Sequence, residues 1–464
     1  MDKVTEFLLP IVENVNKYLS NYILIALLVG VGLFYSIRTR FVQVRCFGEG
    51  MKKVFGNFSL RGGKQQGGLS SFQALATAIA AQVGTGNIVG ACGAILVGGP
   101  GAIFWMWVIA FFGMATIYAE AVLAQETKVV DADGNVMGGP VYYIKKAFNN
   151  KFGKFLAGFF AVACMLALGF MGTMVQSNSI SEAMNTAFGV DTWIVGLILA
   201  AICAIIFIGG IKRIASVAEK IVPIMAIIYI VMGLVIICIN ITKIPETFAM
   251  IFKYAFMPQA IIGGTVGYAI KEAISQGAKR GLFSNEAGMG STPHAHAQAK
   301  VEKPHDQGVV AMIGVFIDTF VVLTITALVV ISTLYAGNGP LSVVGSSALF
   351  SKANLMQTAV GTVFGNPTFG NIIVAVCLAF FAFTTIISWN FFGKLNFQHL
   401  FGKKATVVYS ILAIGFVFLG SLFENTLVWE LTDMFNNIMV IPNVIALFAL
   451  SGIVVKAVKS RKNK

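Results

Sequence analysis

Gly84-Thr85-Gly86-Asn87 lies inside residues 71–97, an apolar run otherwise long enough to cross a membrane as one helix. A second interruption, Gly281-Leu282-Phe283-Ser284-Asn285-Glu286-Ala287-Gly288, falls five apolar spans later. Hydrocarbon cannot satisfy free backbone N–H and C=O groups, so irregular backbone at membrane depth survives only where protein buries it or it lines a cavity. Two interrupted helices at corresponding places in two halves of a chain put a binding site between them.

Composition supports the membrane setting. Of the 464 residues, 57% are hydrophobic and 11% charged, and the mean hydropathy is +0.82. A soluble domain carries about 25% charged residues. The apolar runs have helix length, whereas a membrane barrel shows short alternating segments. The expected fold is therefore an all-α integral membrane protein. Gly is abundant (49 residues), as close helix packing in lipid favours. Cys46, Cys92, Cys164, Cys203, Cys238 and Cys377 include no CxxC pair and read as small core residues. The net charge of +13 collects in alternate loops. That is the positive-inside pattern, and no nucleic-acid partner is expected. No cleavable signal peptide is expected, because Asp2, Glu6 and Glu13 stand where a basic n-region belongs.

Eleven spans are expected: 19–37, 71–97, 100–124, 154–185, 191–210, 214–240, 264–292, 307–334, 368–392, 404–422 and 427–455. The seventh carries Lys271, Glu272, Lys279 and Arg280, and hydropathy alone misses it. Parity retains it. Residues 38–64 hold Arg38, Arg40, Arg45, Lys52, Lys53, Arg61 and Lys64 against Glu49, which makes them cytoplasmic. Counting from there places Lys145, Lys146 and Lys151, then Lys212 and Arg213, Lys300 and Lys303, and Lys394, Lys403 and Lys404 inside, with the basic tail 456–464. The N-terminus is expected outside and the C-terminus in the cytoplasm. Residues 335–367 fall outside, with a short helix expected over 348–364. The domain reading is one transmembrane unit over 1–464: an extra helix at 19–37, a first five-helix repeat at 71–240 and an inverted second repeat at 264–455.

Unwinding at Gly84–Asn87 frees N–H groups suited to a carboxylate and C=O groups suited to a hard cation such as sodium. At the second break Phe283 can wall a small apolar side chain. Glu286 is an intramembrane carboxylate, a costly feature with two readings of equal weight: an ion or gating group, or a brace for the unwound segment. Thr384 and Thr385 can complete an oxygen cage with Gly84 and its neighbours, although Thr hydroxyls in membrane helices also bond carbonyls one turn back. Thr385 and Trp389 share a helix face, where Trp389 can floor the pocket. Gln176 and Asn178 are intramembrane amides, able to meet a zwitterion or to join helices. Asp318, mid-span, reads as a second cation or proton site or as half of a buried pair. His294, His296 and His305 read as a loop feature, with no acid or cysteine cluster nearby in sequence.

Residues 98–113, Gly-Gly-Pro-Gly-Ala-Ile-Phe-Trp-Met-Trp-Val-Ile-Ala-Phe-Phe-Gly, resemble the signature of the alanine or glycine:cation symporter family, in the amino acid-polyamine-cation superfamily. Gly84–Ile88, Gly138-Gly139-Pro140 and Gly281–Ser291 are also similar to family segments, and the resemblance runs from about residue 60 to the last span. It implies a prokaryotic cytoplasmic-membrane symporter of LeuT-type five-plus-five architecture, coupling sodium to uptake of L-alanine, D-alanine or glycine. It implies Thr85, Gly86, Asn87, Gln176, Phe283, Thr385 and Trp389 for the amino acid, and Gly84, Thr384 and Thr385 for sodium. Glu286 and Asp318 remain further ion or gating carboxylates. No organic cofactor is expected, and a monomer in the lipid bilayer is. Proton coupling through Glu286 or Asp318 is the alternative within transport, and a channel needs no paired broken helices. An embedded enzyme lacks support, since HExxH and GxSxG are missing from the sequence.

Overall fold

A computed structural model describes residues 2–56, 69–131, 134–208, 210–257, 266–343 and 346–460. Arg61, Lys64, the start of the seventh span at 264 and the tail residues Arg461, Lys462 and Lys464 lie outside the described residues.

The first helix, α1 (Val4–Arg38), is nearly twice as long as the expected 19–37. Glu6 and Glu13 sit on it without ending it. Asn16, on its N-terminal half, donates to Glu430 Oε2 at 2.6 Å and to Glu430 O at 2.8 Å. After one turn at Val42–Arg45 comes α2 (Phe47–Phe55), amphipathic and short. The first broken span follows as α3 (Ser71–Gln82) and α4 (Gly86–Gly98), bent by 46°. A capping box starts α3: Ser70 Oγ accepts from Gln73 N and Gln73 Oε1 accepts from Ser70 N, both at 3.1 Å. Next come α5 (Gly101–Thr127), the hairpin β1 (Val129–Val130) and β2 (Val136–Met137), α6 (Pro140–Ala147), α7 (Lys151–Phe188), α8 (Thr192–Ile208) and α9 (Gly210–Ile239).

A helix absent from the sequence reading follows, α10 (Ile244–Phe256). It packs along α5, and Gly101 is the reason it can: a Cβ there would lie against the backbone of Tyr254 and Ala255. The second half runs α11 (Val266–Asn285), α12 (Pro293–Ala297), α13 (Pro304–Leu334), α14 (Leu355–Phe364), α15 (Pro367–Phe401), α16 (Thr406–Gly420), α17 (Asn425–Ala449) and α18 (Ser451–Ser460). The short helix expected within 335–367 is α14, which packs on α15.

Among the described residues, eight helices are long and apolar enough to cross a membrane, or nine if the bent pair counts as one. The other two expected spans are present as helices that miss this standard. α8 is short, and α11 carries the four charged residues noted above.

The helices form two groups. α5 packs against α13, α11 and α1, with α4 on α11. α7 packs against α15 and α16, with α8 on α16. α9 touches both α3 and α15, and α17 touches α1 and α7, so these two join the groups. The broken segments lie where the groups face each other.

Candidate functional site

The first break is short. The Val83 N–H closes on Ile79 O at 2.7 Å, Val83 then leaves helical geometry, and α4 restarts at Gly86. Asn87 organises it. Its Oδ1 accepts from Gly84 N at 3.0 Å, and its Nδ2 donates to Asp318 Oδ1 at 2.6 Å and Asp318 O at 3.1 Å. Thr326 Oγ1 donates to Asn87 O at 2.7 Å. The Thr85 N–H donates to Gln176 Oε1 at 3.1 Å, tying the break to α7. Thr385 Oγ1 on α15 lies 3.0 Å from both Ala80 O and Phe381 O. A methyl group on Gly84 would collide with Thr385 Oγ1 and press on Gln176 Oε1, so glycine is what lets α15 and α7 close on the break.

The second break is not where the sequence reading placed it. α11 continues through Gly281 and Phe283 to Asn285, and the irregular segment is Glu286–Thr292. Gly281 is a helical position facing Met106 and Ile109 with room for a methyl group, while the left-handed positions that open the backbone are Glu286 (φ 58°), Gly288 (94°) and Gly290 (81°). Phe283 is therefore a helical side chain, and the unwound backbone expected beside it is absent. Glu120 on α5 receives the freed amides: Gly288 N donates to Oε2 at 3.1 Å and Gly290 N to Oε1 at 2.9 Å. Asn443 Nδ2 donates to Glu120 Oε1 at 2.6 Å and to Gly288 O at 2.8 Å. Glu286 accepts from Trp389 Nε1 at 2.5 Å and from the Ser291 hydroxyl, which makes it a brace between α15 and the break.

Asp318 connects the two halves. Besides Asn87, it accepts from Ser284 Oγ (2.9 Å to Oδ2) and Thr319 Oγ1 (2.8 Å), so one carboxylate ties the first break, α11 and α13. Gln82 Nε2 adds a second tie, donating to Asn285 O at 2.8 Å. Three rings stand beside this junction. Phe283 meets Trp389 edge-on at 5.6 Å between centroids and Trp429 at 4.8 Å. Arg280 and Lys352 lie over Trp429 at 4.6 and 4.8 Å. Arg280 pairs with both oxygens of Asp433 (3.2 and 2.9 Å), and Lys279 bridges Asp433 at 2.9 Å and Glu430 at 3.2 Å. This ionic cluster joins α11 to α17 at one end of the ring-lined region.

The structure thus brings together Gly84, Thr85, Gly86, Asn87, Gln176, Thr385 and Asp318, with Phe283, Trp389 and Glu286 adjoining. Gly86 faces Phe283 and Ser284. Thr384 is not brought to the break: its hydroxyl donates to Phe381 O at 2.9 Å and lies 3.7 Å from Met225 Sδ on α9. Asn178 joins helices, donating to Gly420 O and Phe423 O. His294 is buried, with Nδ1 on Ser291 O at 2.7 Å and Nε2 on Asn396 at 2.9 Å. Asn443 and Trp429 escaped the sequence reading. An amide directly after Pro442 in an apolar span was the available signal for the first.

Thr85, Asn87 and Gln176 are fully buried, as are Phe283 and Trp389 to within 3%. Yet Thr85 Oγ1, Gln176 Nε2, Ser388 Oγ and Trp429 Nε1 are buried without a hydrogen-bond partner among the described residues. Such atoms are costly unless something else meets them. A separate cleft is lined by Leu69, Phe207, Ile214, Gln298, Asn390 and Lys394, of which Asn390 directly follows Trp389 in sequence.

Residues 5–464 match the profile of the Sodium:alanine symporter family. The sodium/alanine symporter AgcS of Methanococcus maripaludis is 41% identical over 460 residues, covering 98% of each chain. A Bacillus subtilis protein named probable sodium/glutamine symporter GlnT is 39% identical, covering 97% of this chain and 90% of that one. The crystal structure of MhsT in complex with L-phenylalanine superposes with a TM-score of 0.59 at 13% identity, over 86% of this chain and 99% of that one. That likeness establishes the LeuT-type fold.

Proposed function

Because the chain belongs to the sodium:alanine symporter family, and so is a multi-pass membrane transporter of amino acids and not an enzyme, we propose that it imports alanine, glycine or both with sodium, by alternating access. The observation that carries this reading is the group of unpartnered buried polar atoms at the first break, Thr85 Oγ1 and Gln176 Nε2, beside Phe283 and Trp389.

The substrate carboxylate meets Gln176 Nε2, Thr85 Oγ1 and the backbone near Gly86. The free N–H end of α4 favours negative charge there. The ammonium lies toward the C-terminal carbonyls of α11, which an α-helix leaves without intrahelical donors. Phe283 and Trp389 wall the side chain and limit its size. One relative carries a glutamine name, so the size limit has to come from this chain's own rings.

Sodium takes oxygen ligands from the Thr385 hydroxyl, Ala80 O and the break at Gly84. Asp318, held by Asn87, Ser284 and Thr319, is a second cation position and supplies the negative charge that an ion in low dielectric needs. Both positions depend on the first break keeping its shape, which couples ion binding to the amino-acid pocket. Movement of the α5–α11–α13 group against the α7–α15–α16 group opens the site alternately to each side. Closure of the Arg280–Asp433 and Lys279–Glu430 pairs seals one end.

We place the protein in the cytoplasmic membrane of a prokaryote, N-terminus outside and C-terminus inside, with 71–240 and 264–455 as the inverted repeats. Labelled alanine uptake into proteoliposomes tests the reading. Uphill accumulation is expected only with an inward sodium gradient. Accumulation that persists with choline in place of sodium at fixed pH assigns coupling to protons.

A further inference from the structure

Cys46, Glu49 and His305 come from opposite halves of the sequence and meet beside α5. Cys46 Sγ, a Glu49 carboxylate oxygen and a His305 ring nitrogen all lie within 4.8 Å of one another. Glu49 Oε1 is 3.3 Å from His305 Nε2. His305 Nδ1 is turned the other way, 2.7 Å from the Tyr118 hydroxyl on α5. The hydrogen bond at one nitrogen orients the ring and aims Nε2 at the cysteine and the carboxylate. Metal-binding histidines are held in this way.

Local structure fixes the trio. Cys46 directly precedes α2 and Glu49 sits in its first turn, so a spacing of three puts both on one face. α2 lies along the start of α13, where His305 is the second residue. Lys53 pairs with Asp306 at 3.1 Å, and Gly50 lets the two helices approach, since a Cβ there would meet Ile313 and Val309 O. Cys46 and His305 are buried, while the Glu49 side chain keeps 25% of its exposure and opens the cluster to solvent.

A thiolate, an imidazole and a carboxylate form a mixed soft and borderline donor set. It suits zinc or cadmium, with water as fourth ligand, and it does not suit magnesium or calcium, which take oxygen alone. Zinc bond lengths of about 2.0–2.3 Å need ligand atoms roughly 3.3–3.8 Å apart. The Glu49–His305 pair already lies at that spacing, and closing the whole cluster to it takes a shift of side chains within their 4.8 Å limit. Neither the proposed sodium positions nor the amino-acid pocket uses these residues.

We propose that Cys46, Glu49 and His305 bind a divalent cation of the zinc class, which clamps α2 onto the start of α13 with Tyr118 holding the imidazole.

The test titrates the metal-stripped full-length protein in detergent with cadmium. A thiolate-to-cadmium ultraviolet band should saturate at one equivalent, and zinc should displace it while magnesium does not. Cys46→Ser should abolish the band although five cysteines remain. His305→Gln should weaken binding by about 100-fold, and Tyr118→Phe by about tenfold, the loss expected for an orienting partner. Zinc should raise the thermal midpoint of the wild type and leave that of His305→Gln unmoved. That readout decides the matter even if Cys46→Ser does not fold. No saturating band in the wild type, an undiminished band in Cys46→Ser, or equal zinc stabilisation of His305→Gln would overturn the assignment and leave the trio a structural hydrogen-bond cluster.

Discussion

The two broken spans solve the same backbone problem in opposite ways. The break at Val83–Thr85 is brief, uses no left-handed residue, and is held by side chains that contact it from α7, α13 and α15. The break at Glu286–Thr292 is longer, uses three left-handed residues, and has two of its amides taken by Glu120. The first leaves Thr85 Oγ1 and Gln176 Nε2 unpartnered beside the rings, whereas Glu120, Glu286 and Asn443 bind the second internally, with the Thr292 hydroxyl as the exception among the described residues. A broken helix is thus not in itself a binding site. What matters is whether the protein or a ligand satisfies the groups that the break releases.

The sharpest way to break this contrast is to remove the brace. Glu120→Ala leaves the buried Gly288 and Gly290 amides without their acceptor and takes from the Asn443 amide one of its two, Gly288 O remaining. Each such group costs about 1–3 kcal/mol. The thermal midpoint in detergent should collapse, with little folded protein recovered. A variant as stable as the wild type would mean that the second break is not held from α5. Asp318→Asn should behave differently. The shape is kept and the charge is lost, so folding should survive while sodium-driven uptake falls by about 10- to 100-fold, equivalent to roughly 1.5–3 kcal/mol for a charged hydrogen bond. Uptake unaffected by this substitution would remove Asp318 from the ion path.

Trp389 belongs to both regions, because its ring meets Phe283 and its N–H reaches Glu286. Trp389→Phe tests only the second role and should lower uptake by about tenfold or less with alanine still preferred. Trp389→Ala also opens the wall and should admit larger amino acids in a competition assay. If Trp389→Ala keeps the wild-type substrate range, the size limit lies elsewhere, with Phe283 or Trp429 next in line.

The fold was readable because lipid punishes unsatisfied backbone. Gly84–Asn87 announced its break, and parity of basic loops recovered α11 despite its charges. Elsewhere the physics needed three dimensions. Gly281 and Gly288 look alike in sequence, but one is an ordinary helical position facing α5 and the other a left-handed bend, so the second break was placed about five residues early. No role for Glu120 was readable in the sequence, because its partners, Gly288, Gly290 and Asn443, lie more than 160 residues further along the chain. His305 was set aside for want of a cysteine or acid cluster nearby in sequence, and the cysteine and carboxylate beside it come from the distant Cys46–Glu49 turn. α10 was overlooked because the sequence was searched for runs long enough to cross a membrane, and its 13 residues fall short of that length.

The finest test of the contrast lies within one pair of adjacent residues. Thr385 directs its hydroxyl to Ala80 O at the first break, while Thr384, one position earlier, turns toward Met225. Successive residues on a helix point about 100° apart, so only one can face the break without a rotamer change. Thr385→Ala should raise the sodium concentration for half-maximal alanine uptake by about tenfold, the equivalent of roughly 1.4 kcal/mol. Thr384→Ala removes a hydroxyl that bonds its own helix one turn back, and should shift that concentration by less than about threefold. Equal shifts would restore the hydroxyl pair expected from the sequence, with Thr384 turning inward when the ion binds. A shift confined to Thr384 would move the cation from the first break to the α9 side of α15.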